Sequence, residues 1–235
     1  MYTAPVKRSF KNSRVYVCGM QSSGSSIFSY FLAQIPDSLA VIDLWIRQPC
    51  PPLMLDMPVS IKTCISVMEC YLQDVSVFKP TLSILFMRDP VDIYVSLKKK
   101  SYFNDGGDAD DKFQIYETMF RERETLFDLS ICYEDFTKNP LEVAKRLRQH
   151  DVPIQNSALS FKRGLEEVID FARSRSTWCH DNYQTRWTHG NIHTDNLPEL
   201  HTIRTLNPDP EVIAKMRELC PRLMDAYHGA VSAPF

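Results

Sequence analysis

Four serines crowd one glycine in the run Cys18-Gly19-Met20-Gln21-Ser22-Ser23-Gly24-Ser25-Ser26. Hydroxyls and backbone N–H groups gathered at a glycine turn are what an anion needs. The β-branched and aromatic segment 15–18 before the run and the helical apolar spacing of 27–35 after it predict a strand, a phosphate-binding loop and a helix. The spacing from Gly19 to Gly24 to Ser25-Ser26 is that of a Walker A loop, with Ser25 where nucleotide-hydrolysing loops carry Lys. Loss of that cation argues against ATP or GTP hydrolysis, although amides opening into a helix N-terminus can still hold a 5′-phosphate. A tight turn in which Gly24 merely permits close packing accounts for the same residues.

Three further charged residues sit where apolar ones are the rule. Asp43 interrupts the apolar run 39–46, Lys62 the alternating run 59–65, and Arg88 directly follows the apolar run 82–87. Asp43 is either a salt-bridged or capping carboxylate or a functional acid. Lys62 is either a guard on an edge strand or a functional cation. Arg88-Asp89-Pro90 combines Pro at a first helical turn with Asp before it, which predicts a helix start. Arg88 then stands at the carboxyl end of a strand, where open α/β sheets bind ligands.

The elements that must position these residues follow in order. Strands are expected over 15–18, 39–46, 59–65, 82–87 and 129–135, the last running into a loop. Helices are expected over 27–35, 67–77, 91–99, 113–125, 140–150, 157–174 and 210–227. Residues 1–14 form a lead-in, 49–58 a Pro-rich loop, 101–112 a flexible acidic insert, and 175–209 an irregular C-terminal region with the character of a lid. Recurring strand, loop and helix predict a single α/β domain with a parallel sheet covered by helices on both faces.

Composition narrows the function classes. A chain of 235 residues with 44% hydrophobic content can bury one sizeable core. A net charge of −2 supplies no broad basic field for nucleic acid or an anionic membrane. Stretches of ~18 apolar residues are absent, and residues 1–11 lack the apolar centre of a secretory signal. The seven cysteines include no C-x-x-C pair, so neither a disulfide framework nor a zinc site is indicated. The expected compartment is the reducing cytoplasm, and no metal is implied.

Three blocks in this order resemble the sulfotransferases that use 3′-phosphoadenosine-5′-phosphosulfate (PAPS). Gln21-Ser22-Ser23-Gly24-Ser25-Ser26 resembles their 5′-phosphosulfate loop. Arg88-Asp89-Pro90-Val91-Asp92-Ile93-Tyr94-Val95-Ser96 is similar to their 3′-phosphate motif, with Arg88 and Ser96 eight apart. Tyr133-Glu134-Asp135-Phe136, followed by Asn139-Pro140, resembles a third block whose Tyr lies near the adenine. The resemblance implies a P-loop nucleotide-binding fold, PAPS as donor, and 3′,5′-adenosine bisphosphate as product. It also implies a hydroxyl- or amine-bearing small molecule as acceptor.

Departures from the pattern assign the remaining roles. The basic residue expected inside the loop is Ser22, and Ile61-Lys62-Thr63 resembles the Lys-Thr strand end of the cytosolic members. Lys62 is therefore the expected catalytic cation, with Arg47 second. The catalytic His that follows the Lys-Thr pair is replaced by Cys64, a poor base when buried. The resemblance to carbohydrate-type members makes Asp43 the expected base, while His180, His189 and His193 remain open. A basic lid over the 3′-phosphate has no clean match; Arg186 is the candidate, or the pair Arg173 and Arg175. The aspartates within 104–111 could rim an acceptor pocket and favour a cationic acceptor, such as an amine or guanidinium-bearing natural product, or serve only as a solvated loop. A P-loop kinase of small molecules and a non-catalytic nucleotide-binding protein stay open as alternatives.

Overall fold

The computed structural model describes residues 13–44, 50–65, 68–100, 103–104, 107–183, 205 and 207–229. Five strands form the centre: β1 (Arg14–Gly19), β2 (Leu39–Leu44), β3 (Val59–Cys64), β4 (Leu82–Met87) and β5 (Leu129–Cys132). Every pairing is parallel, in the order β2-β3-β1-β4-β5. The sheet is thus the expected parallel one, and β1 lies at its middle. Because both faces are covered, β1 and β4 are buried along their whole length instead of alternating.

Helix α1 (Ser25–Leu32) follows the glycine turn, and its Phe28 stacks on Phe86 of β4 with ring centroids 4.8 Å apart. Phe136 of the short helix α6 (Tyr133–Lys138) meets Phe28 edge-on at 5.3 Å. On the opposite face, Tyr16 packs against Tyr71 and Phe78 of α2 (Met68–Phe78). Cys18 there meets Met119 of α4 (Ala109–Arg121). Helix α3 (Pro90–Lys98) precedes α4 in the chain, and the single turn α5 (Arg123–Leu126) follows it. After α6 come α7 (Pro140–Gln149), a 3₁₀ turn (Asn156–Ser160), α8 (Leu165–Arg175) and α9 (Thr177–Asn182).

Several expected boundaries are corrected. The segment at Tyr133 is helical from its first residue and not a loop, and Glu134 in its first turn accepts a hydrogen bond from the Asp89 amide. The helix expected over 157–174 is broken in two, since Phe161 adopts positive φ after the 3₁₀ turn. The last helix divides into α10 (Pro210–Leu219) and α11 (Pro221–His228). Pro221 cannot donate within a continuing helix, and buried Glu117 of α4 instead receives the amides of Arg222 and Leu223. The acidic insert is also shorter than 101–112: Asp108 caps α4, and Ala109 to Lys112 already belong to that helix. No described helix is long and apolar enough to cross a membrane.

Candidate active site

The loop between β1 and α1 is shaped by its glycine. Gly24 has φ +88°, a left-handed conformation that side-chain-bearing residues rarely adopt, and a Cβ there would overlap the Tyr133 ring. Ser22 also has positive φ, at 65°. Ser23 is fully buried, and its amide donates to the Met20 carbonyl at 3.1 Å. The hydroxyls of Ser22 and Ser23 are buried and find no partner among the described residues. Buried hydroxyls without partners beside the N-terminus of α1 are what an anion would satisfy. The residues present therefore fit a bound phosphate group.

Lys62 reaches this loop from β3. Its side chain is 2% exposed, and its ammonium donates to Asp43 Oδ1 at 2.7 Å, Cys64 Sγ at 3.0 Å and Ser26 Oγ at 3.4 Å. Ser26 in turn donates to Asp43 Oδ2 at 3.2 Å. Both carboxylate oxygens of Asp43 are thus engaged. Burial would push the Lys62 ammonium down, but the Asp43 carboxylate and neighbouring Cys64 reverse this, so Lys62 is held well above the usual lysine range. Burial pushes the Cys64 thiol up, and the Lys62 charge pulls it back only in part. Cys64 therefore stays protonated near neutrality, consistent with a bystander.

Asp43 arrives on this face by an irregularity in the edge strand. Val41 pairs with Ile61 and Leu44 with Thr63, so two residues of β2, Ile42 and Asp43, oppose Lys62 alone. In an unbroken ladder Asp43 would align with Thr63 and point to the opposite face, where Thr63 meets Tyr16.

Arg88 directly follows β4, at the carboxyl end of the strand as expected. Its side chain is 8% exposed, and its guanidinium donates to the Ser22 carbonyl at 3.1 Å and lies 4.7 Å from the centre of the Tyr133 ring. Tyr133 thus packs over both Gly24 and Arg88, tying the third block to the first two. Ser96 is half-buried on α3, two turns along from Arg88. Of the other candidates, His180 is exposed on α9 and bonded to its neighbour Asp181. Arg173 and Arg175 belong to α8, and Arg175 lies over Phe171 of the same helix. Arg47, Arg186, His189 and His193 lie outside the described residues.

Two contributors were missed in the sequence. Lys112, wholly buried, donates to the side chain of Gln21 at 3.2 Å, which brings a second ammonium to the loop. One turn on, Tyr116 receives the Arg88 amide at 2.9 Å and donates to the Arg88 carbonyl at 3.1 Å. The signal was available: Lys112, Tyr116 and Met119 fall at helical spacing on the apolar face of α4.

No family model matches the chain, and a search of curated proteins finds no match. Among solved structures, the chain is similar to mouse sulfotransferase SULT7A1 complexed with PAP. The alignment covers 93% of this chain and 90% of that one, at 15% identity and a TM-score of 0.49. Likeness at this level assigns no residue a role.

Proposed function

We propose that the chain is a PAPS-dependent sulfotransferase acting on a hydroxyl or amine of a small acceptor. The observation that carries the reading is the position of Lys62. A loop that lacks its own lysine has a buried ammonium from the neighbouring strand within 3.4 Å of its Ser26 hydroxyl, and the same ammonium is paired with a carboxylate.

The donor, when bound, supplies an activated sulfonate on its 5′-phosphate. Amides at the start of α1 and the hydroxyls of Ser22, Ser23, Ser25 and Ser26 hold that phosphate, with Gln21 and Gly24 shaping the loop. Lys62 places positive charge where the leaving phosphate gains negative charge, an electrostatic contribution of the kind that dominates group transfer of this type. Lys62 and Ser26 can turn to an anion in the loop, which leaves an oxygen of Asp43 free to take the acceptor proton. Arg88 and Ser96 are assigned to the 3′-phosphate and Tyr133 to the adenine side. The tie from Arg88 to the Ser22 carbonyl would couple the two phosphate sites.

The acceptor is read as a small neutral or cationic molecule. The acidic insert gives this less support than its composition suggested, because Asp108 caps α4 and Asp110 pairs with Lys215 at 2.7 Å. The test is incubation with PAPS labelled in its sulfonate and a panel of small alcohols and amines. Transfer of label by the wild type and its loss in Lys62→Met support the reading. Adenosine bisphosphate binding without any transfer across the panel points to the non-catalytic alternative.

A further inference from the structure

Lys112 is wholly buried, and it lies in the first turn of α4. Both circumstances count against a lysine. Burial takes the ammonium out of water, and the start of a helix is its positive end, which favours anions. A charge kept against such costs is expected where a functional site requires it.

The buried stripe of α4 reaches three parts of the site in succession. Met119 meets Cys18 of β1, Tyr116 holds the backbone of Arg88, and Lys112 donates to Gln21 Oε1 at 3.2 Å. An ammonium only donates, so the Gln21 oxygen is turned to Lys112 and its NH2 group away from it. That NH2 has no hydrogen-bond partner among the described residues.

Residues 19–26 contain no lysine or arginine, yet a buried ammonium touches each end of this loop. Lys62 reaches the Ser26 hydroxyl from the α1 face of the sheet, and Lys112 reaches Gln21 from the α4 face. In the chain between these contacts lie the buried hydroxyls of Ser22 and Ser23, without partners among the described residues. Lys62 has the Asp43 carboxylate beside it, and Arg88 lies 3.9 Å from that of Asp92. A phosphate carrying a sulfonate brings two anionic groups into the loop, and a further cation there stabilises them.

We propose that Lys112 is a donor-binding residue: with the Gln21 amide it serves the anionic 5′ end of the donor from the face opposite Lys62, so that this end lies between two buried ammoniums. The identity of the donor rests on the sulfotransferase reading, whereas service of an anion in the loop does not. A lysine that only fastens α4 to the loop would not distinguish ligands with a 5′-phosphate from those without one.

The experiment is calorimetric titration of wild type and Lys112→Met with 3′,5′-adenosine bisphosphate, adenosine 3′-phosphate and inorganic pyrophosphate. Losing one charge-assisted contact should weaken the bisphosphate and pyrophosphate about tenfold or more, and leave adenosine 3′-phosphate unchanged. Equal losses for the two nucleotides, or no loss for any ligand, overturn the proposal. If the wild type binds pyrophosphate but neither nucleotide, the sulfotransferase reading falls, and the pyrophosphate affinity of Lys112→Met still decides the role of Lys112. A wild type that binds none of the three overturns both. Where Lys112→Met does not fold, nitrogen NMR of the lysine ammonium groups in the wild type replaces it. A Lys112 signal displaced on saturation with bisphosphate or pyrophosphate supports the assignment, and an unmoved signal overturns it.

Discussion

Replacing Asp43 by asparagine should reverse the way Lys62 responds to alkaline pH. The ammonium is 2% exposed and the carboxylate 15% exposed, so the substitution strands the better-buried partner. Breaking a buried pair by removing one partner costs about 3–5 kcal/mol. Asparagine keeps an acceptor oxygen, and partial exposure admits water, so about 3 kcal/mol is expected. For a chain of this size that lowers Tm by roughly 6–12 °C. Lys62→Met should cost less, about 1–2 kcal/mol, because the carboxylate left behind keeps the Ser26 hydroxyl and some solvent.

The pH dependence follows with a definite sign. In the wild type the folded-state pKa of Lys62 is raised, so its contribution is fully present below the ordinary lysine value of about 10.4 and is lost as pH rises through the higher folded value. In Asp43→Asn the carboxylate's contribution is gone, burial outweighs what Cys64 still supplies, and the folded value is expected to fall below the unfolded one. Stability should then increase with pH between the two, at up to about 1.4 kcal/mol per pH unit. Buried thiols such as Cys18, Cys132 and Cys220, all pushed up by burial, lower alkaline stability in both proteins and cancel in the difference. Urea unfolding of both proteins from about pH 8 to about pH 10 measures that difference. Parallel curves, or a larger loss for Lys62→Met than for Asp43→Asn, would refute the reasoning.

Other expectations concern the nucleotide and the loop. Arg88→Ala should weaken 3′,5′-adenosine bisphosphate binding by ~2 kcal/mol, about 30-fold, and hardly alter a nucleotide lacking the 3′-phosphate. Equal losses by calorimetry would mean that Arg88 serves only as a brace for the Ser22 carbonyl. Gly24→Ala should abolish binding of both nucleotides and lower Tm, because its Cβ must displace Tyr133; retained affinity would show that the loop conformation is not required. Cys64→Ala should keep sulfonate transfer and Asp43→Asn should lose it, as read in the labelled-donor assay, and the opposite pattern would exchange their roles.

Much of this site was legible because local rules governed it. The strand, glycine turn and helix around Gly24 follow from composition and periodicity, and Arg88 at a strand end follows from Asp89-Pro90. Asp43 and Lys62 were conspicuous as charges in apolar runs, but their contact was not in the sequence. Regular alternation puts Asp43 on the wrong face, and only the extra residue in β2 corrects it. Lys112 was missed for a related reason, since it reaches the loop through a tertiary contact with a distant segment. The break at Pro221 could have been read from the proline itself, whereas its partner Glu117 on α4 could not.

The most direct measurement is a calorimetric titration of the wild type with 3′,5′-adenosine bisphosphate, ADP and GDP in parallel. Buried loop hydroxyls beside the start of α1, with Lys62 and Arg88 at its rim, predict strong binding of the bisphosphate and weak binding of the two diphosphates. Preference for ADP or GDP, or no heat from any of the three, would contradict the account.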